Sequence, residues 1–209
     1  LFEVDLGAWS QVDQRIADGV PVAYGEADIT KTVIGYNVYS VFGEERVPVQ
    51  TVLLPEPVSW SYRTKAILTR YARWVDIDAI HALEHVVIHA ARPVVGAGLS
   101  DLGGISYPSG HVIIYDATPG GSGLSRLLFE KLERAHKLAY DIVSSCGCED
   151  GCPRCVYDPF CGNNNRHLSR KGAVELFEKV FRGEGVPKSL EEPFGESRAL
   201  SYRDHLFFP

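Results

Sequence analysis

The stretch Cys146-Gly-Cys148-Glu-Asp-Gly-Cys152-Pro-Arg-Cys155-Val-Tyr-Asp-Pro-Phe-Cys161 holds all five cysteines of a 209-residue chain within sixteen positions. Crowding of this kind marks a site. Tetrahedral zinc takes four soft or borderline donors, and short chelating loops have little entropy left to lose on closing around it. Cys146 and Cys148 form a first pair; Cys152 and Cys155 form a second, spaced Cys-x2-Cys. Gly151 permits a tight turn into the second pair, and Pro153 stiffens the loop between its sulfurs. One residue separates the first pair, which is tighter than zinc-finger spacing. Cys161 is the spare: a fifth ligand or a substitute for Cys146, a free thiol, or a packing cap. Disulfides would strand one cysteine and leave the rest of the chain without a staple. A redox dithiol is expected after a strand of a βαβ unit. An iron–sulfur cluster stays open as the rival to structural zinc, because four thiolates suit either metal.

Working outward, the chain is long enough to bury a core without metal, so the metal should organise a local region. Hydrophobic residues at 45% and charged residues at 23% are an ordinary globular balance. No run approaches the ~18 apolar residues of a membrane span, and no signal-peptide pattern is present. A cytoplasmic protein with reduced thiols and no membrane partner is expected. The absence of methionine and the start at Leu1 are read as signs of a piece of a longer polypeptide. A net charge of -6 argues against coating nucleic acid by bulk electrostatics. DNA contact must be local, and Arg154, Arg166, Arg170 and Lys171 against Asp158 give a surplus of four minus one, or +3.

The first twenty residues are expected to be a strand or loop leading into a brief helix. Val22 to Ala27, Thr32 to Phe42 and Val47 to Leu54 are rich in Val, Ile, Thr and Tyr and carry turn signals between them, including Gly43-Glu44-Glu45. They predict an antiparallel β unit over 1–60, covered on both faces and closed by Pro55 and Pro57. After Pro57 the period shifts toward helix. Asp76 is a plausible N-cap for a helix with Ile77, Ile80, Leu83, Val87 and Ala91 inward, ending at Pro93. A glycine-rich loop over 96–104 and a strand over 112–115 follow. Pro119-Gly-Gly-Ser-Gly123 opens what should be the longest helix, with Leu124, Leu128, Leu132, Ala135, Ala139 and Ile142 as its apolar stripe. Ser169 caps a last helix ending at Gly183. The tail from 183 to 209 is loop-like, with Phe207 and Phe208 suggesting that it docks. The domain reading is therefore 1–60, 61–182 and 183–209, in an α+β chain: an antiparallel β unit, then an α/β domain with a cysteine-rich zinc knuckle.

Two further motifs carry chemistry of their own. His81-Ala-Leu-Glu84-His85 matches the H-x-x-E-H order of inverted zinc peptidases, in which two histidines share a helix face and the glutamate polarises metal-bound water. The plain alternative is a packing or interdomain face that continues through His89. The turn at 119–123 could cradle an anion at a helix N-terminus, but no Lys-Ser or Lys-Thr follows, and close packing that only glycine allows is the favoured reading. Asp101 and Asp116 suit turn or cap roles as well as catalytic ones.

In order, His81-Ala-Leu-Glu-His85, Asp101-Leu-Gly-Gly104, Tyr115-Asp-Ala-Thr-Pro-Gly-Gly-Ser-Gly-Leu124, the cysteine knuckle, Gly162-Asn-Asn-Asn165 and Leu168-Ser-Arg-Lys171 resemble the C-terminal zinc-binding domain of DEAD/DEAH-box superfamily 2 helicases, in the mitomycin-repair and RecQ4-like branch. The resemblance covers about 76 to 182. It implies zinc on Cys146, Cys148, Cys152 and Cys155, and membership of a machine that moves on DNA with ATP in DNA repair. The chain itself has no Walker A loop, no Asp-Glu-x-His box and no arginine-finger motif. The expectation is a non-enzymatic accessory domain, structural or guiding single-stranded DNA weakly, with helicase motor domains upstream on the same or a partner chain. The rivals are a metallopeptidase using His81, Glu84 and His85, and a free-standing interaction module.

Overall fold

A computed structural model describes residues 1–42 and 45–191. Five strands form one antiparallel sheet: β1 (Phe2–Ala17), β2 (Val20–Phe42), β3 (Glu45–Arg70), β4 (Leu102–Ser106) and β5 (His111–Asp116), in the order β1-β2-β3-β5-β4. Four helices, α1 (Ile77–Val95), α2 (Leu124–Glu130), α3 (Leu132–Ser145) and α4 (Arg170–Phe181), complete an α+β fold. Neighbouring residues of a strand point to opposite faces. Val20, Val22, Ile67, Val112 and Ile114 accordingly meet the helices in the main core. Ala27, Ile29, Ala66, Leu68, Ile113 and Tyr115 form a smaller core on the other face, with Leu6, Trp9 and Leu190 against it.

The strands are longer than their composition predicts. No helix forms in the first twenty residues: β1 runs from Phe2 to Ala17 and turns through Asp18 and Gly19, both at positive φ, into β2. Nor does the sheet close at the prolines. β3 passes through Pro55 and Pro57, and the boundary expected at residue 60 lies inside it. The pairing explains this: Val33 faces Val58 and Gly35 faces Leu53, so both prolines sit in an irregularity where no ladder donor is required. Beyond it the β2–β3 hairpin is uncovered, with Tyr36, Val38, Tyr39, Val41, Val49 and Leu53 exposed, contrary to the expected two-sided burial. Gly43 and Glu44 of the expected turn lie outside the described residues, and so do Phe207 and Phe208.

Asp76 caps α1, its side chain accepting from the Asp78 N–H, and α1 continues through Pro93 to end on Gly96 in the left-handed region. This makes α1 the longest helix among the described residues. The helix expected to be longest breaks at Lys131 (φ -119°), dividing it into α2 and α3. The break frees the Phe129 carbonyl, which accepts from Arg15 Nε (2.9 Å) and an Arg15 terminal nitrogen (2.6 Å) while the same guanidinium pairs with Glu133. A partner 114 residues away therefore decides a break that local periodicity cannot report. Ser169 caps α4 as expected, accepting from the Gly172 N–H at 3.0 Å. Among the described residues no helix is long and apolar enough to cross a membrane.

Candidate metal centre

Helix α3 delivers the chain into the knuckle at Cys146. A tight turn then forms around Cys152, whose carbonyl accepts from the N–H groups of Cys155 (3.0 Å), Val156 (3.2 Å) and Tyr157 (3.1 Å). Helix α4 holds the first loop from the other side, with Arg170 Nε donating to the Cys148 carbonyl and its terminal nitrogen to the Val143 carbonyl, both at 2.8 Å. The sulfurs of Cys146, Cys148, Cys152 and Cys155 converge, at 3.5 Å (146–148 and 148–155), 3.6 Å (146–152) and 3.7 Å (152–155). Four sulfurs ~2.3 Å from a tetrahedral zinc lie ~3.75 Å apart, so the cluster fits the ion with little rearrangement. Four thiolates would also saturate such an ion, leaving no position for a reacting water. A hydrogen bond from the Cys148 N–H, then contacts with the neighbouring thiols, pull the Cys146 thiol down to about 7, whereas burial pushes Cys155 up to about 12.

The knuckle is seated on α1 by its three histidines. Each Nδ1 lies against a backbone carbonyl: His81 on His167 (2.9 Å), His85 on Val156 (2.6 Å) and His89 on Cys155 (2.9 Å). A carbonyl oxygen can only accept, so each Nδ1 carries the proton. Asp158, counted in the sequence only as a local negative charge, is the hub beneath them. Its Oδ2 takes Arg92 at 2.6 Å and His89 Nε2 at 3.2 Å, and its Oδ1 takes the Phe160 N–H at 2.7 Å. Burial alone would raise its pKa, but these bonds outweigh that and hold the carboxyl well below the usual range. The run Asn163-Asn164-Asn165 also finds its reason here: Asn164 and Asn165 adopt positive φ, which Asn tolerates better than most residues, and Asn165 exchanges hydrogen bonds with the Asp158 backbone.

Cys161 does not join the four sulfurs; it lies 3.6 Å from His81 Nε2, in a second group with His81 and His85. Glu84 turns from that pair toward β4, where a Cβ on Gly104 would meet its carboxyl at 2.4 Å, and burial pushes its pKa up to about 8 against the pull of the Ser106 hydroxyl. Of the four cations expected to meet DNA, Arg154, Arg166 and Lys171 are exposed, while Arg170 is committed to the knuckle carbonyls. Tyr157 and Phe160 are 37% and 50% exposed, so neither ring is buried against a helix.

An antiparallel sheet backed by helices that carry a four-thiolate cluster defines a zinc-binding α+β domain. Residues 83–156 match the family described as the MrfA Zn-binding domain. The uncharacterized protein MJ1572.1 of Methanocaldococcus jannaschii is 31% identical over 111 residues, which cover 49% of this chain and 99% of the relative. The chain belongs to this family of zinc-binding domains. The ATP-dependent helicase HRQ1 of Saccharomyces cerevisiae is 35% identical over 72 residues, or 34% of this chain and 7% of that protein. The crystal structure of the DUF1998 helicase MrfA bound to DNA shares the fold, with a TM-score of 0.54 and 14% identity over 86% of this chain and 25% of the helicase. The chain thus spans almost the whole of the archaeal relative but a small fraction of the helicases.

Proposed function

We propose that the chain is the zinc-braced accessory domain of an ATP-dependent DNA helicase, that Cys146, Cys148, Cys152 and Cys155 are its zinc ligands, and that it guides single-stranded DNA without hydrolysing ATP itself. The observation that carries the reading is the knuckle's construction. A saturated four-sulfur cluster seated on α1 by histidine-to-carbonyl bonds is a rigid mount, and it presents Tyr157, Phe160, Arg154, Arg166 and Lys171 outward. Relatives named as an ATP-dependent helicase and as a helicase bound to DNA support the partner class. The motor lies elsewhere, on the same polypeptide or on another in a reducing intracellular compartment. Half-exposed rings offer bases a stacking surface of ~1 to 3 kcal/mol each, whereas few phosphate contacts are available to a chain of net charge -6, so single strands should bind better than duplex.

Titration of labelled single-stranded and duplex DNA at several salt concentrations tests this. The expected result is weak binding that favours single strands, with a salt slope that falls by ~0.7 for each phosphate contact removed by Arg166→Ala or Lys171→Ala, and no ATP hydrolysis throughout. Absent binding, or binding indifferent to both substitutions, would leave the domain a brace for its motor and not a guide for DNA.

A further inference from the structure

His81, His85 and Cys161 lie outside the four-sulfur cluster as a group of their own, and they come from α1 and from a loop 80 residues downstream. We propose that these three side chains form a second site for a zinc-like divalent ion, a His2Cys site that leaves one coordination position facing a cavity.

Geometry and proton bookkeeping carry the proposal together. Residues 81 and 85 are one helical turn apart and face the same way, with ring centroids 4.4 Å apart. Because each Nδ1–H donates to a carbonyl, of His167 and of Val156, the neutral rings hold their lone pairs on Nε2. Metal-ligating histidines are fixed in the same way, with the far nitrogen bonded to a carbonyl or carboxylate that sets tautomer and ring angle. The Nε2 of His81 and the Sγ of Cys161 stand 3.6 Å apart, the separation of ~3.6 Å that tetrahedral Zn–N and Zn–S bonds impose. Each of the three side chains offers a ligand atom, and these atoms lie within 4.8 Å of one another.

Burial separates this group from an accidental surface cluster: both histidines are buried and Cys161 is half-buried. On its open side is a cavity of about 300 Å³ that reaches Phe2, Lys31, Gly104, Tyr115 and Phe160. Three protein ligands and an opening are the arrangement of zinc sites that keep a fourth position for water or a ligand atom. The ligands are neutral imidazoles and one thiolate, so the Cys161 proton leaves when the ion enters. The proposal is independent of the DNA-handling reading, since it concerns metal content and not DNA affinity.

The test is metal stoichiometry of the full chain. After chelation, dialysis against excess zinc and desalting, the wild-type chain should carry two equivalents, and both Cys161→Ala and His81→Gln, whose ring bonds a carbonyl outside the four-cysteine loop, should carry one. Cobalt substitution supplies the assignment: the variants should keep the absorption of a four-thiolate centre and lose a second component with a single Co–S bond. Circular dichroism and melting of both variants separate ligand loss from misfolding. One equivalent in the zinc-replete wild-type chain would overturn the proposal, and so would two equivalents retained by both variants.

Discussion

Asp116 is the anion that the glycine-rich turn at 119–123 receives. Its Oδ2 accepts from the N–H groups of Ser122 (2.7 Å) and Gly123 (2.9 Å), and its Oδ1 from Ser125 (2.7 Å) at the start of α2. A side chain at Gly121 could not enter: its φ is +89°, and a Cβ there would lie 2.6 Å from Lys65 Cγ and 3.2 Å from Asp116 Oδ2. A free phosphate is therefore excluded by the protein's own carboxylate. Asp116→Ala should cost about 3 kcal/mol, because the donors are left in a buried place and bonds to a charged acceptor exceed neutral ones. The thermal midpoint should fall by roughly 6–12 °C for a chain of this size, and a fall under ~3 °C would mean that the donors find other partners. His111 gives a pH signature. It is buried between Ser109 Oγ and the Leu190 carbonyl, both at 2.8 Å, and burial holds its pKa down to about 4. The unfolded chain protonates it near 6.5, so its contribution is complete above pH 6.5 and is lost as pH falls toward 4. Denaturant unfolding at pH 7, 6 and 5 should show a slope that His111→Gln reduces by up to ~1.4 kcal/mol per pH unit; identical slopes would remove His111 from the acid response.

At the scale of elements, α1 and the knuckle depend on each other unequally. The helix is buried along most of its length, Ile80, Leu83, Val86, Val87 and Ala90 among its core residues, and stands without the ion. The knuckle has Cys155 and Val156 in the core but little else, and takes its shape from the sulfurs and the α1 histidines. Chelation should therefore raise amide exchange by orders of magnitude over 146–167 while the centre of α1 keeps its protection; exchange rising equally in both would show that the metal holds up the whole fold. The same contrast separates what the sequence makes legible from what it hides. Caps at Asp76 and Ser169 and the cysteine spacing are local signals, written in side chains that act on their own neighbourhood. The α2–α3 break, by contrast, belongs to Arg15, and the passage of β3 through its prolines belongs to the pairing register with β2.

Across the molecule, spacing pairs Cys146 with Cys148 and Cys152 with Cys155 within ten residues but leaves Cys161 open as a substitute for Cys146; only the fold separates its sulfur from the other four. Cys161 could not be placed with His81 and His85, since the sheet and α1 must form before those atoms meet. The H-x-x-E-H pattern announced that the histidines share a face, but not that they seat the knuckle.

The sheet's two outer strands carry a consequence of their own. Along β1 the ladder shifts twice, between Leu6 and Trp9 and between Gln11 and Asp13, and the strand carries Asp13, Gln14 and Arg15 before it ends at Ala17. At the opposite edge β4 is five residues long, and side chains at Gly103 and Gly104 would collide with Tyr115 and Glu84. Irregular, charged or very short edges are poor templates for an incoming strand. Self-assembly by strand addition is thereby discouraged on both sides, and whatever joins this domain must meet a face, the knuckle or the exposed β2–β3 arm instead of extending the sheet.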